Sequence, residues 1–152
     1  MRWNDLQDEA CPIARTMSVV GDRWTFLILR DALRGISRFE EFHQRLKCSR
    51  ATLADRIALL VERGVLEREQ YETHPPRHDY RLTEMGRALA PVMMTMSQWA
   101  ETWLPVPGKQ RIKRVHGGCG HAFQPVVHCS ECGERVMPGD VVVVKLRADG
   151  AN

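Results

Sequence analysis

Two short patterns near the C-terminal end of the 152-residue chain carry donor atoms at regular spacing, His116-Gly117-Gly118-Cys119-Gly120 and Cys129-Ser130-Glu131-Cys132-Gly133. Each offers two nitrogen or sulfur donors with two residues between them, followed by a glycine. Donors so spaced curl round one side of an ion, the glycine lets backbone amides turn towards sulfur, and a second such loop closes a tetrahedron. The pair therefore reads as a zinc site with His116, Cys119, Cys129 and Cys132 as ligands. With three cysteines in this region the fourth ligand must be a histidine; His116 has the best position, and His121 and His128 compete with it. Four protein ligands leave no position for water, so the role expected of Zn2+ is structural. Cys11, just before Pro12 at a helix start, sits where the helix dipole favours a thiolate, which suits a redox sensor as well as it suits a small interface residue. Cys48 stands in a turn and reads as structural.

A second chemistry lies in arginines. Ser49, Arg50, Ala51 and Thr52 open a helix, with Asp55 and Arg56 one turn on, and a guanidinium there can fork onto a guanine edge or clamp a phosphate. His74, Arg77 and His78 surround a proline pair at the tip of two strand-like segments, where a stiff loop could meet the minor groove or its phosphates. Arg50 and Arg56 are the leading candidates for base reading. Twenty-two Lys and Arg against nineteen Asp and Glu leave only +3, so a nucleic-acid surface has to come from local clustering.

Catalysis finds no support in the residues, and no catalytic residue is assigned. A zinc deaminase needs His-x-Glu before its Cys-x-x-Cys, whereas His121 is followed by Ala122 and Phe123. A Gly-rich phosphate loop and a nucleophile elbow are also missing. No apolar run approaches the roughly 20 residues that cross a bilayer, and the start MRWNDLQDEA has no signal-peptide core, so the expected location is cytoplasmic, with no membrane partner.

These groups need elements to hold them. Spacing predicts a helix from Cys11 to Val20, a second from an Asp22 cap through Arg34 to a stop at Gly35, and a third from a Ser37–Glu40 capping box to Lys47. Ser49 caps a fourth, 49–63, which buries Leu53, Ile57 and Leu60 and ends at Gly64. Strands are expected over Val65 to Tyr71 and His78 to Leu82, forming a wing over 71–80. Thr83 should cap one long helix, bent at Pro91, in which Met85, Leu89, Val92, Met96, Trp99 and Trp103 form a coiled-coil seam that asks for a partner. The fold class expected is α+β, mainly α: a winged helix-turn-helix with its dimerisation helix over 1–104, a linker over 105–110, and a small β zinc ribbon over 111–147 with strands from Ala122 to Val127 and Val141 to Val144.

Three blocks, CPIARTMSVVGDRWTFLILRDAL, SRATLADRIALLVERGVLERE and PPRHDYRLTEMGRALAPV, resemble the HxlR-type family of bacterial transcriptional regulators in that family's order, from Cys11 to Trp103. The resemblance implies a homodimer with first and last helices packed across the two-fold. One recognition helix and one wing per subunit would then sit on a pseudo-palindromic duplex DNA site. It also implies an oxidant, electrophile or other small-molecule effector acting at a cysteine that maps to Cys11, and regulation, more commonly repression. The competing reading is a protein-interaction adaptor that uses winged helix and ribbon without sequence-specific DNA binding.

Overall fold

The computed structural model describes residues 3–108 and 113–144. A 3-10 turn at Trp3–Asp8 leads to α1, Pro12–Val20, with Cys11 at its N-cap and proline in the first turn, where a missing N–H costs nothing. Asp22 caps α2, Arg23–Ala32, accepting the amides of Trp24 and Thr25 at 3.0 and 3.3 Å. Burial pushes the Asp22 carboxyl up, but the Thr25 N–H, Arg56 and the Trp24 N–H outweigh it and hold it below the usual carboxylate range. The buried Asp31 is placed likewise: burial raises it, and hydrogen bonds and charge from Arg30 and Arg45 bring it below that range.

α3 is Phe39–Leu46 and α4 is Arg50–Glu62. Lys47 takes a left-handed φ of +54°, Cys48 is buried in the turn, and Ser49 accepts the Thr52 amide at 3.1 Å to start α4. Phe42 and Leu46 from α3, Leu53, Ile57 and Leu60 from α4, and Val20, Ile28 and Leu29 form one core with Val65 and Leu66. Burying each larger aliphatic or aromatic group there is worth roughly 1.5–3 kcal/mol relative to exposure. Gly64, at φ +70°, turns the chain out of α4 as expected.

Ser37 does not form the expected capping box. α3 begins at Phe39 with Arg38 as an N-cap that gives no side-chain bond. The Ser37 hydroxyl instead meets Asp79 at 3.2 Å, and its carbonyl accepts the Tyr80 amide at 2.7 Å. A buried carboxylate on the hairpin outcompetes the local helix end, and an Arg38–Asp79 bridge extends the pairing.

The hairpin joins β1, Leu66–Thr73, to β2, Pro76–Leu82, antiparallel, with Leu66 opposite Leu82 and a bulge at Tyr71. Its turn is shorter than the loop expected from the prolines. Pro76 belongs to the strand, since a strand's first position tolerates a residue with no N–H, leaving His74 and Pro75, joined by a cis bond, as the turn.

The single long helix also gives way. Thr83 caps a short α5, Glu84–Arg87, and α6 runs separately over Ala90–Trp103. Pro91 cannot donate to the Arg87 carbonyl and crowds it, so the chain breaks at Ala88 and Leu89 rather than bending. Gly86 is forced by a close approach: a Cβ there would lie 2.3 Å from the Val65 carbonyl oxygen. Of the seam residues Leu89 packs on the core, while Met85, Val92, Met96, Trp99 and Trp103 are exposed in the single chain.

Contacts divide the chain into a first unit up to Met93 and a second from Met94. In the second unit Arg114 hydrogen-bonds Ser97 of α6. The ribbon strands expected from Ala122 to Val127 and Val141 to Val144 are not formed among the described residues. Among the described residues the single bridges Val115–Ala122 and His128–Arg135 occur there, each closed within its own turn, and Val141 to Val144 are exposed with no described ladder partner. Residues 111, 112 and 145–147 of the expected module lie outside the described set.

Candidate nucleic-acid interface

α4 turns one face inward through Leu53, Ile57 and Leu60, so Arg50, Ala51, Ala54, Asp55 and Ala58 form its outward strip. Ala54 and Ala58 were missed in the sequence because alanine carries no donor to attract notice. Their small side chains let a helix backbone approach base edges and thymine methyls. Thr52 is half-buried and spends its amide and hydroxyl on the Ser49 cap.

Arg50 opens that strip. Its guanidinium forks onto Glu40 at 2.5 and 2.9 Å and lies 5.1 Å from the Phe39 ring centre. The hydrogen bond from Arg50 holds the Glu40 carboxyl below the usual range, and that bond in turn raises the arginine. The fork is thus pre-shaped, with a carboxylate where a phosphate or guanine edge would bind.

Arg56 has a different place. Its Nε donates to Asp22 at 3.0 Å, tying α4 to the cap of α2, and the side chain is half-buried off the outward strip. Asp22 was legible as a cap, but its second partner lies 34 positions along the chain, beyond any local signal.

On the hairpin Arg77 is exposed and pairs across the strands with Glu72 at 3.2 Å. His74 is exposed and contacts the Thr73 hydroxyl at 3.1 Å, while His78 is half-buried. Arg50, Arg77 and His78 line a common cleft of about 550 Å³ between α3, the start of α4 and the hairpin. Arg38 joins them, its guanidinium 5.0 Å from the Tyr71 ring centre. The structure therefore brings the α4 arginine and the wing arginine to one groove, each held by a carboxylate of its own chain.

Asp79 sets the hairpin's placement through Ser37 at 3.2 Å, Arg38 at 3.7 Å and Arg81 at 3.2 Å. Asp79→Ala should lower stability by about 1–3 kcal/mol, since it removes charge-assisted bonds at a buried position. It should also weaken DNA binding on all sequences alike. Chemical denaturation and a binding titration check both, and an unchanged denaturation midpoint would refute the anchoring role.

In the second unit His116 Nδ1 lies 3.3 Å from Cys119 Sγ. The backbone N–H groups of Cys132 and Glu131, with the Cys132 thiol, hydrogen-bond the Cys129 sulfur and hold that thiol below its usual range. The four expected ligands thus stand as two pairs; among the described residues no three His, Cys, Asp or Glu side chains form one metal-binding group. Cys11 is exposed at the α1 N-cap and Cys48 is buried. No helix of the described residues is long and apolar enough to cross a membrane.

The family model described as HxlR-like helix-turn-helix matches residues 19–107. Among curated proteins, an uncharacterised HTH-type transcriptional regulator of Mycobacterium tuberculosis (strain CDC 1551 / Oshkosh), MT3179, is 40% identical over 129 residues, covering 85% of this chain and 82% of that protein. Among solved structures, PA1607 superposes with a TM-score of 0.83 at 33% identity, over 93% of this chain and 99% of that one. The redox regulator HypR in its reduced form gives a TM-score of 0.57 at 31% identity, over 60% of this chain and 92% of the other.

Proposed function

The chain belongs to the HxlR-like helix-turn-helix family of transcriptional regulators, and from that premise we propose that it acts as a homodimer gripping a pseudo-palindromic duplex site, more as repressor than activator. The observation that carries this reading is the shared groove: Arg50 on the outward strip of α4 and Arg77 on the wing face one cleft. α4 enters the major groove with Arg50, Ala51 and Asp55 towards base edges, while Arg77 and the tip histidines hold phosphates or the minor groove. Arg56, paired with Asp22, positions α4 rather than reading bases.

The dimer reading rests on α6. Val92, Met96, Trp99 and Trp103 are 43%, 49%, 58% and 69% exposed, a run of large apolar groups that a second copy of the same helix would cover. Control of binding is assigned to Cys11, exposed at its helix start, as the group on which an oxidant or electrophile acts. HypR, named a redox regulator, supports that assignment by likeness.

The test uses the full chain and the DNA upstream of its own gene. A dimer should form in sedimentation at micromolar concentration, and affinity should fall steeply with salt as phosphate counterions are released. Trp99→Glu should split the dimer and weaken operator binding at least tenfold. An oxidant should change the affinity of the parent protein and leave Cys11→Ser unaffected. A monomeric parent protein, or salt-insensitive binding without sequence preference, would sink the reading.

A further inference from the structure

Residues 113–144 pose a packing problem. None of them is buried, and none lies in a helix or a strand. Hydrophobic burial, at roughly 25 cal/mol per Å², therefore has little to work with in this stretch. Yet the backbone takes up one form twice, with three of the first copy's backbone hydrogen bonds recurring thirteen positions on. The His116 amide donates to the His121 carbonyl at 2.9 Å, as the Cys129 amide does to Glu134 at 2.9 Å. Gly120 donates to His116 at 2.8 Å, as Gly133 does to Cys129 at 2.9 Å, with φ values of +72° and +74°. Phe123 donates to Arg114 at 3.1 Å and Val136 to Val127 at 2.9 Å. The two sequences, HGGCGHAF and CSECGERV, share little beyond Cys-Gly. What they share in three dimensions is a pair of soft donors on a tight turn.

The repeat also distinguishes the histidines. His116 occupies the place of Cys129, and Cys119 that of Cys132. The 3.3 Å from His116 Nδ1 to Cys119 Sγ is close to the spacing of about 3.5 Å between nitrogen and sulfur on one tetrahedral zinc, with bonds near 2.0 and 2.3 Å. The ring is held for this. Phe123 meets it edge-on with centres 6.1 Å apart, and Gly118 leaves it room, since a Cβ there would lie 3.0 Å from His116 Cε1. His128 instead directs Nδ1 to the Gly133 carbonyl at 2.9 Å, bracing the second turn, and His121 stands where the repeat has Glu134.

We propose that one zinc ion joins the two turns, bound by Nδ1 of His116 and the sulfurs of Cys119, Cys129 and Cys132. Each turn is a half-site already shaped, and the ion supplies the link that apolar burial does not. Each sulfur–zinc bond forms as its thiol gives up a proton to the solvent. Three thiolates and an imidazole in a tetrahedron select zinc over the harder divalent ions. With every position taken by protein, the ion fixes structure and activates no water.

The full chain, produced with zinc in the medium, tests this independently of DNA binding. Elemental analysis should find one zinc per chain. Cobalt exchanged into the site should show thiolate charge-transfer and tetrahedral visible bands. A chelator should make three further thiols reactive in the unaltered protein, a readout that needs no variant to fold. Cys119→Ser and Cys129→Ser should each cut zinc content below a tenth, and His116→Ala should weaken zinc retention at least tenfold, while His121→Ala retains the metal. Zinc-free parent protein without cobalt bands would overturn the proposal. So would zinc kept by the Cys129→Ser/Cys132→Ser double variant, or a loss that follows His121 instead of His116.

Discussion

Arg50→Ala is expected to weaken operator binding roughly 5- to 150-fold, the range for losing one two-pronged contact to a base, and to weaken binding to random DNA far less. The basis is the exposed fork at the start of α4, already planar and aligned on Glu40. The same geometry makes Glu40 a competitor: its carboxylate occupies the donors that DNA needs. Glu40→Gln should therefore tighten binding to the operator more than to random sequences, because the donors it frees are those that read a base edge. Arg77→Ala, by contrast, should weaken binding to all sequences uniformly. Titrations on operator and scrambled duplexes at several salt concentrations separate these outcomes. If Arg50→Ala lost equal affinity on both duplexes, base reading would have to be assigned elsewhere on the strip.

Gly86→Ala should destabilise the first unit markedly. The new carbon would meet the Val65 carbonyl oxygen at 2.3 Å and Leu82 Cδ2 at 2.8 Å. The leucine end can swing aside. The carbonyl cannot, since it accepts the Thr83 amide at 3.1 Å where α4, the hairpin and α5 join. Overpacking of this kind costs about 1–3 kcal/mol, equivalent to a fall in melting temperature on the order of 10 °C for a domain of this size. A variant that melts with the parent protein would show that α5 lies further from the hairpin than this geometry requires.

Family membership and the likeness to PA1607 and HypR agree with the helix-turn-helix reading of the chain. They do not bear on the residues of the groove, which stand on geometry alone. Cys48 illustrates the difference between plausible and placed. Its position in a turn implies a structural role, and it is buried there, in the core cluster that includes Leu46 and Leu53.

What the sequence determined is what a few neighbouring residues can settle among themselves. Asp22 and Ser49 cap α2 and α4 because a short polar side chain reaches an amide two or three residues ahead whatever the rest of the chain does. Leu53, Ile57 and Leu60 face inward because helical periodicity leaves them one side, and Gly64 ends α4 because a left-handed turn suits a residue without a side chain. The tertiary structure decided every choice among distant partners. Ser37 left its helix for Asp79, Glu40 took Arg50, and Arg56 took Asp22, because a hydroxyl or charge satisfied equally well by several groups goes to the one that folding delivers. The close approach at Gly86 and the matching of the two C-terminal turns were hidden for the same reason: both are distances between segments, and a sequence records only order.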